Sequence, residues 1–547
     1  MKNNNEKVQV NKFQMIVIAV VTTITAFLSY GYEILHPTIG IDDTEIERYV
    51  LKGWEPLFNR PTLVIPGLIL KIDHYVPYVF DIIGMLFMII AACMFCFIWR
   101  SITKNRLHIV SYCIFAVLLI SSPIMCETYI FYLHNGAGIA FILVAIATYA
   151  AYCFAVERDK KAFVVAILMV VLAIGCYESF ALVYSVAATA AFLLDRLYSK
   201  EKYSLKMFVR EALSGIIPVV TGVIFRSVVS NILPTILKIE TEGKIINAHS
   251  GSFKYWFMNN PIIILKDLIY KFIARYFLSG AYFGWVKILW ILILLCIVYI
   301  VYLLAKKKVI ATLMIVLMSM IPWLLVIYEM EMTPYRAMQG LMMWMAAVGL
   351  VASEFLITFC KKKRTEITMS IIVGLFIVCV AFLQVRDSYT YYKLDFDTYQ
   401  KDLRYLDELN TFLQEKYKDK PVVFVGRYQM PEELCKRAYF LKGTEEYNKI
   451  ANTINLGKTK AFGYYCDDNG YQLYDVAHVD PLAWAAYANP SYQNGEIIDF
   501  FNMHGYNINK LENPDFDSIM DSAPVDIWPS EGSVVEYDEY IVVRIGL

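Results

Sequence analysis

Long apolar stretches, separated by short polar segments, recur between residue 12 and about residue 386. Several reach the roughly 17–25 residues that an α-helix needs to cross a hydrocarbon core about 30 Å thick. One such stretch could be a buried core helix, but a series of eleven indicates a polytopic α-helical membrane bundle. The predicted spans are 13–32, 76–99, 107–123, 136–156, 162–178, 180–194, 212–230, 287–305, 309–328, 338–358 and 367–385.

Two of the segments between spans, 33–75 and 231–286, are too long for simple hairpins. The first contains the apolar stretch 59–71, which is too short and too rich in proline to span a membrane. The second contains the aromatic stretch 262–285, which lysines and an arginine interrupt. Both stretches are typical of segments that lie in the membrane interface.

After residue 385 the apolar stretches end and a different pattern begins. Residues 391–417 have apolar side chains at helical spacing, which predicts a helix. Residues 420–426 and 540–545 are short apolar stretches that predict β-strands. Aromatic residues occur throughout this tail, which favours a folded domain over a disordered one. We therefore expect a transmembrane bundle over residues 1–385 and a small α/β domain over residues 386–547.

The charge distribution separates the same two regions. The chain is 58% hydrophobic and 18% charged, with a formal net charge of zero. Residues 386–547 nevertheless hold 27 acidic and 16 basic residues, so the preceding part is basic. An acidic soluble domain would repel phosphate backbones, which disfavours nucleic acid as a partner.

The basic clusters also predict the orientation of the bundle. Lysines and arginines gather near the N-terminus and around residues 100–106, 158–161, 196–210, 306–308 and 361–364, whereas the alternate hairpins are nearly free of them. The positive-inside rule then places the N-terminus in the cytoplasm. An odd number of crossings carries the α/β domain to the outer face, and in a bacterium the membrane would be the inner one.

The cysteines give little indication of a catalytic or metal-binding role. Nine of the eleven cysteines precede residue 386, mostly within apolar stretches, where cysteine behaves as a small hydrophobic residue. Cys435 and Cys466 lie in the tail and could pair as a disulfide if that domain faces an oxidising space.

An acidic cluster follows the first span, beginning with Asp42 and Asp43. Carboxylates so close to a hydrocarbon boundary are costly unless water, a cation or a substrate meets them. Three interpretations stay open: a hydrated acidic loop, a divalent-cation site built from oxygen ligands, and a general base that accepts a proton from an attacking hydroxyl. We expect no organic cofactor.

Other charged residues fall at the same predicted outer boundary. Glu127 and Glu178 fall at the predicted outer ends of other spans. Folding of the bundle could bring them into one cavity with the aspartates. Arg60 and Arg336 could bind an anionic ligand, because arginine presents a planar fork of donors to phosphate. Each could instead pair with an acid. Two further candidates are Arg275 and the intramembrane Arg226.

Common catalytic motifs are missing from the sequence. No G-x-x-x-x-G-K, G-x-S-x-G or H-E-x-x-H pattern occurs. The chain therefore does not look like an ATPase of the P-loop type, a serine hydrolase or a zinc protease.

Taken together, these segments resemble the GT-C superfamily of membrane glycosyltransferases. More narrowly, the chain is similar to bacterial glucosyltransferases that decorate O-antigen and related surface polysaccharides. The supporting segments are Gly40–Asp43, Asn59–Pro61, Ser122–Glu127, Gly175–Glu178, Asp480–Trp484 and His504–Tyr506.

The resemblance implies a reaction and its partners. A sugar, which the family resemblance indicates is glucose, would pass from a polyprenyl-phosphate donor to a cell-envelope glycan acceptor on the outer face. Asp43 or Asp42 would be the base, and Glu127, Glu178, Arg60 and Arg336 would contact substrate. The alternatives are a transporter, flippase or polymerase of envelope lipids and polysaccharides, and an envelope assembly protein.

Overall fold

The computed structural model describes part of the chain. The described residues are 12–38, 60–62, 78–130, 134–198, 203–232, 236, 256, 261–273, 276, 284–329, 335–359, 363–417, 420–426, 497–498, 500–502, 504–512 and 515–546. Within them the protein is a bundle of long apolar helices followed by a small three-stranded sheet. This architecture confirms the predicted fold class.

Most helices of the bundle are joined by short turns. In chain order they are α1 (Lys12–Leu35), α2 (Val79–Ile102), α3 (Ile109–Ile120), α4 (Cys126–Ile130), α5 (His134–Tyr152), α6 (Lys160–Cys176), α7 (Phe180–Tyr198), α8 (Leu205–Ser227), α9 (Pro261–Ile273), α10 (Gly284–Ala305), α11 (Val309–Met320), α12 (Leu324–Glu329), α13 (Gln339–Phe359) and α14 (Lys363–Lys416). Long segments, by contrast, separate α1 from α2 and α8 from α9. The π-helical turns Cys153–Glu157 and Val228–Ile232 extend α5 and α8.

The predicted spans correspond to these helices. In the described part of the chain, ten helical segments are long and apolar enough to cross a membrane. The remaining predicted span, 162–178, corresponds to α6, whose 17 residues extend about 26 Å. The protein is therefore a multi-pass membrane protein.

Proline interrupts two of the spans near the same level. Pro123 begins a 3₁₀ turn between α3 and α4, and Pro322 lies in the 3₁₀ turn between α11 and α12. Proline lacks the backbone N–H that an α-helix uses for its internal hydrogen bond, so a change of helix direction is expected at such positions. At Pro123 the interruption places the short helix α4 at the end of the bundle.

Helices α3 and α13 form the centre of the bundle. Both are largely buried, and they pack against each other over much of their length. Glycine allows α13 to approach α3 closely, because a Cβ atom at Gly349 would collide with the Leu118 side chain. It also allows α13 to approach α7, because a Cβ atom at Gly340 would lie 2.9 Å from Cβ of Leu182. Small residues at helix interfaces are the usual means of tight packing in membranes, where lipid offers no hydrophobic driving force.

One helix connects the bundle to the C-terminal domain. Helix α14 continues for 54 residues, or about 81 Å, and so joins the predicted span 367–385 to the predicted helix 391–417 without a break. The expected boundary between residues 385 and 386 lies inside this helix. Sequence hydropathy marks where the helix becomes polar, but helix formation does not depend on that change.

The C-terminal part packs against the second half of α14. Strands β1 (Val422–Val425), β2 (Val534–Glu536) and β3 (Ile541–Arg544) form a sheet of order β1-β3-β2. β1 is parallel to β3, and β2 is antiparallel to it. The strands predicted over 420–426 and 540–545 are β1 and β3. Helix α15 (Phe516–Asp521) precedes β2.

Several predictions concern residues outside the described part of the chain. These are Asp42, Asp43, Arg275, Cys435 and Cys466, together with most of the stretch 59–71. Of the stretch 262–285, residues 262–273 belong to α9 and Trp285 belongs to α10.

The central packing predicts a stability difference between two glycine variants. Gly349→Leu should lower the stability of the detergent-solubilised protein by about 1–3 kcal/mol, because the added side chain overpacks the contact with Leu118. Gly374→Leu is the matched control, since a Cβ atom there meets open space. Thermal unfolding of both variants measures the effect, and equal unfolding temperatures would contradict the packing account.

Candidate functional site

One end of the bundle is rich in polar contacts between helices. There, the C-terminal ends of α1, α3 and α6 meet the N-terminal ends of α2, α7 and α13. The Tyr30 hydroxyl donates a 2.7 Å hydrogen bond to the Ile120 carbonyl, and the Tyr129 hydroxyl donates to the Asp81 carbonyl. We call this the cluster end of the bundle.

A buried ion pair joins two turns at the cluster end. Helix α4 carries Glu127, whose side chain is only 5% exposed, and the 3₁₀ turn Tyr335–Ala337 carries Arg336. The Arg336 guanidinium donates to Oε1 of Glu127, and its backbone N–H donates to Oε2 at 3.1 Å. One carboxylate therefore fixes both the side chain and the backbone of Arg336.

Gln339 links this pair to a third turn. Its Nε2 donates to the Arg336 carbonyl and to Oγ1 of Thr128, the latter at 3.3 Å. Its Oε1 accepts a 2.6 Å hydrogen bond from the Ser179 hydroxyl. The first turn of α13 is thus bonded both to α4 and to the turn between α6 and α7.

The turn between α6 and α7 holds a second ion pair and an aromatic contact. Glu178 pairs with Nη2 of Arg226, which lies in the last turn of α8. The guanidinium of Arg60 lies 4.9 Å from the centre of the Tyr177 ring. The segment that follows Arg60 packs closely here, because a Cβ atom at Gly175 would collide with the Thr62 side chain.

These side chains surround one tyrosine hydroxyl. Arg60, Glu127, Glu178 and Arg336 all lie within electrostatic range of the Tyr177 hydroxyl. We call these five residues the Tyr177 cluster. Beside it lies a cavity of about 10 Å³, enough for about one water molecule, lined in part by Tyr177, Arg336 and Gln339. The structure therefore brings together four residues that the sequence placed in different hairpins.

Three arginines near Tyr177 differ in whether a carboxylate pairs with them. Arg336 pairs with Glu127, and Arg226 pairs with Glu178. For Arg60, the described part of the chain offers no carboxylate partner, and its guanidinium lies against the Tyr177 ring. Arg60 is accordingly the cation best placed to meet an anionic ligand, while Arg336 and Arg226 hold the turns in place.

Further buried acids lie at the cluster end that sequence reasoning did not single out. Asp387 accepts a 2.8 Å hydrogen bond from the Trp285 backbone N–H and pairs with Arg386 at 2.6 Å. Asp395 accepts a 2.6 Å hydrogen bond from the Thr38 hydroxyl. Both are on α14, immediately after its apolar half. A signal was present in the sequence, since acids here interrupt an otherwise apolar helix face.

Helix α14 also contacts the element that carries Glu127. The Cys126 thiol contacts the hydroxyls of Ser388 and Tyr392. The ring of Tyr335, beside Arg336, lies edge-on to the ring of Tyr391 with centroids 6.4 Å apart. The turns of α14 that follow its apolar half therefore adjoin the cluster directly.

The predicted first-loop residues Asp42 and Asp43 lie outside the described residues, as does Arg275. Within the described ranges, no three His, Cys, Asp or Glu side chains are grouped as the ligands of a metal ion would be.

Comparison with known protein families identifies a relationship. A family model described as glucosyl transferase GtrII matches residues 31–353, more than half of the chain. The matched range runs from the end of α1 nearly to the end of α13 and includes every residue of the Tyr177 cluster. No curated protein matches the chain.

The two ion pairs predict different costs of disruption. Arg336→Met should destabilise the solubilised protein by about 3 kcal/mol, because it leaves the Glu127 carboxylate buried without its partner. Glu178→Gln should cost less than about 1 kcal/mol, since the Glu178 side chain is 45% exposed. Thermal unfolding of the two variants measures both losses of stability. A larger loss for Glu178→Gln would show that the Glu127 pair does not hold the site together.

Proposed function

The chain belongs to the GtrII glucosyl transferase family, and we propose that it moves glucose from a polyprenyl-phosphate carrier to a hydroxyl group of a cell-envelope glycan. Family membership makes it a membrane-embedded glycosyltransferase, and it favours an enzyme over a transporter, flippase or polymerase. The observation that carries the finer proposal is the Tyr177 cluster, which offers an arginine without a carboxylate partner among the described residues at one end of the bundle.

The proposed reaction is a displacement at the anomeric carbon. The acceptor hydroxyl oxygen forms a bond to C1 of glucose while the bond from C1 to the phosphate oxygen breaks. The hydroxyl proton passes to a carboxylate, and the carrier leaves as polyprenyl phosphate with increased negative charge. A site for this reaction needs a base on the acceptor side and a fixed cation on the phosphate side.

Arg60 suits the phosphate side. A guanidinium can donate two parallel hydrogen bonds to a phosphate, and it remains charged at any physiological pH. The Tyr177 ring behind Arg60 limits the orientations that the guanidinium can adopt. Arg336 and Arg226 already have carboxylate partners, so we assign them the role of holding the walls of the site.

A first-loop aspartate suits the acceptor side. Glu127 and Glu178 already pair with arginines, so neither is the carboxylate that we assign to the acceptor hydroxyl. In the sequence, Asp42 and Asp43 fall between two described segments of the cluster end, because α1 ends there at Leu35 and Thr62 packs there on Gly175. We propose one of them as the base, with a slight preference for Asp43.

Chain length limits how far these aspartates can be from the cluster end. Thr38 is anchored there by its hydrogen bond to Asp395. Asp42 follows Thr38 by four residues and Asp43 by five, and a fully extended chain of that length spans at most about 14 Å or 18 Å. This short connection supports the proposal that one of them acts at the cluster end.

The orientation of the bundle follows from charge. The basic turns that contain Arg106, Arg158 and Lys306–Lys308 lie at the end opposite the cluster. The positive-inside rule places that end in the cytoplasm and the Tyr177 cluster on the outer side. We propose that the donor and the envelope acceptor meet there, in the outer leaflet of the bacterial cytoplasmic membrane, where no nucleotide sugar is required.

The donor and the base are tested by one assay. Purified protein, incubated with polyprenyl-phosphate glucose and cell-envelope glycan, should release polyprenyl phosphate and extend the glycan. Asp43→Asn or Asp42→Asn should reduce turnover by about 10²-fold to 10⁴-fold, because the attacking hydroxyl loses its proton acceptor. Uridine diphosphate glucose serves as the control donor and should give no transfer.

Two results would contradict this proposal. Transfer from uridine diphosphate glucose alone would exclude the lipid-linked donor. Full turnover in both single aspartate variants and in the double variant would exclude the first-loop base, even if the lipid-linked donor is used.

Arg60 makes a separate prediction. Arg60→Gln should lower kcat by about 10²-fold, because the departing phosphate loses a cation in the transition state, and Arg60→Lys should recover only part of that loss. Arg364→Gln, at an exposed position on the opposite end, is the control. Unchanged kcat in Arg60→Gln, measured with saturating donor, would show that another group stabilises the phosphate.

A further inference from the structure

A second cavity lies at the other end of the bundle. It has a volume of about 150 Å³ and lies where the last turns of α7, α10 and α13 meet the turn after α10. Glu354 lines it, fifteen residues after Gln339 on α13, so it is about 22 Å along the helix from the Tyr177 cluster. We call it the Tyr299 cavity.

The cavity has a polar wall made largely of tyrosines. Tyr198, Tyr299 and Tyr302 line it, and the charge of Glu354 acts on the hydroxyls of Tyr198 and Tyr299. Within the described ranges, neither of these two hydroxyls makes a hydrogen bond to protein. Both hydroxyls are therefore available to a ligand in the cavity.

The Glu354 carboxylate already has hydrogen-bond partners from the protein. Its Oε2 accepts 2.9 Å hydrogen bonds from the His108 backbone N–H and from the Ser111 hydroxyl. Its Oε1 lies 3.0 Å from Nδ1 of His108. These contacts hold a buried carboxylate without a lysine or arginine, and they leave the basic residues at the cavity mouth free for another anion.

The mouth of the cavity is basic. Lys308 lines it, and Nζ of the neighbouring Lys306 lies 5.9 Å from the centre of the Tyr302 ring. Arg106 lies on the other side, where its Nη1 donates a 2.6 Å hydrogen bond to the Tyr198 carbonyl. In the described part of the chain, no carboxylate pairs with Lys306 or Lys308.

The surroundings of the mouth are apolar and exposed. Val301 and Leu304 on α10 and Phe359 on α13 are each more than half exposed. Apart from its tyrosines and charged residues, the cavity lining is also largely apolar, and it includes Leu194, Leu197 and Phe355. A ligand that enters here thus meets a cationic rim, free hydroxyls and a surface that hydrocarbon chains cover.

We propose that the Tyr299 cavity binds the headgroup of an anionic phospholipid, with its phosphate at Lys308 and a headgroup hydroxyl at Tyr198 and Tyr299. The volume accommodates about five water-sized groups, which suits a glycerol headgroup and not a whole lipid. The acyl chains lie outside, along Val301 and Leu304. Basic pockets between transmembrane helices on the cytoplasmic side are suited to such lipids.

The test measures lipid retention by the intact purified protein. Native mass spectrometry in detergent, with added phosphatidylglycerol or phosphatidylcholine, should show one phosphatidylglycerol bound per chain and weaker binding of phosphatidylcholine. Lys308→Gln should weaken phosphatidylglycerol binding by roughly fivefold, the effect of losing one cation at the membrane surface. Tyr299→Phe should weaken it by roughly threefold to tenfold, the effect of one hydrogen bond.

The control is Lys161→Gln, an exposed lysine on α6 at the same end of the bundle, which should bind phosphatidylglycerol as the parent protein does. Equal retention of the two lipids would overturn the proposal, as would unchanged binding in both Lys308→Gln and Tyr299→Phe. Displacement of the lipid by millimolar inorganic phosphate would also overturn it, since that result identifies a free-phosphate site. Lys308 is exposed, so its variant folds as the parent protein does and keeps the test decisive.

Discussion

The buried pair of Glu127 and Arg336 is the interaction on which the candidate site depends. A carboxylate that is almost inaccessible at the end of a membrane bundle is stable only with a matched partner, and Arg336 supplies both a guanidinium and a backbone N–H. Through Gln339, the same pair is bonded to the turn that presents Tyr177 and Glu178. Because these turns are fixed to one another, Arg60 can rest on Tyr177 with a defined orientation.

The two ends of the bundle carry different chemistry on the same helices. Helices α7 and α13 begin at the Tyr177 cluster, where arginines and carboxylates are mostly paired, and end at the Tyr299 cavity, which is lined by tyrosines and Lys308. Between the ends, the close approach of α3 and α13 at Gly349 makes the centre tightly packed. A dense centre of this kind keeps the two ends at a fixed separation.

Sequence reasoning predicts the helices well because hydropathy and span length are strong local signals. The span 338–358 differs from α13 by one residue at each end, the span 309–328 covers α11 and α12 together, and the strands at 420–426 and 540–545 are present. The partner of each charge was not predictable. Nothing local in the sequence indicates that Glu127 pairs with Arg336, or Glu178 with Arg226, since those pairings depend on how distant helices pack. Tyr177 was missed for the same reason, whereas Asp387 had a local signal, because it interrupts an otherwise apolar helix face.

The central claim is that the lipid-linked donor binds with its phosphate at Arg60 and its sugar toward the first-loop aspartates. An experimental structure of the protein with a non-hydrolysable polyprenyl-phosphonate glucose analogue tests this claim most directly. The account predicts the phosphonate within hydrogen-bond distance of the Arg60 guanidinium, beside the Tyr177 ring, with C1 of glucose facing Asp42 or Asp43. A phosphonate bound away from the Tyr177 cluster, or at the opposite end of the bundle, would contradict it.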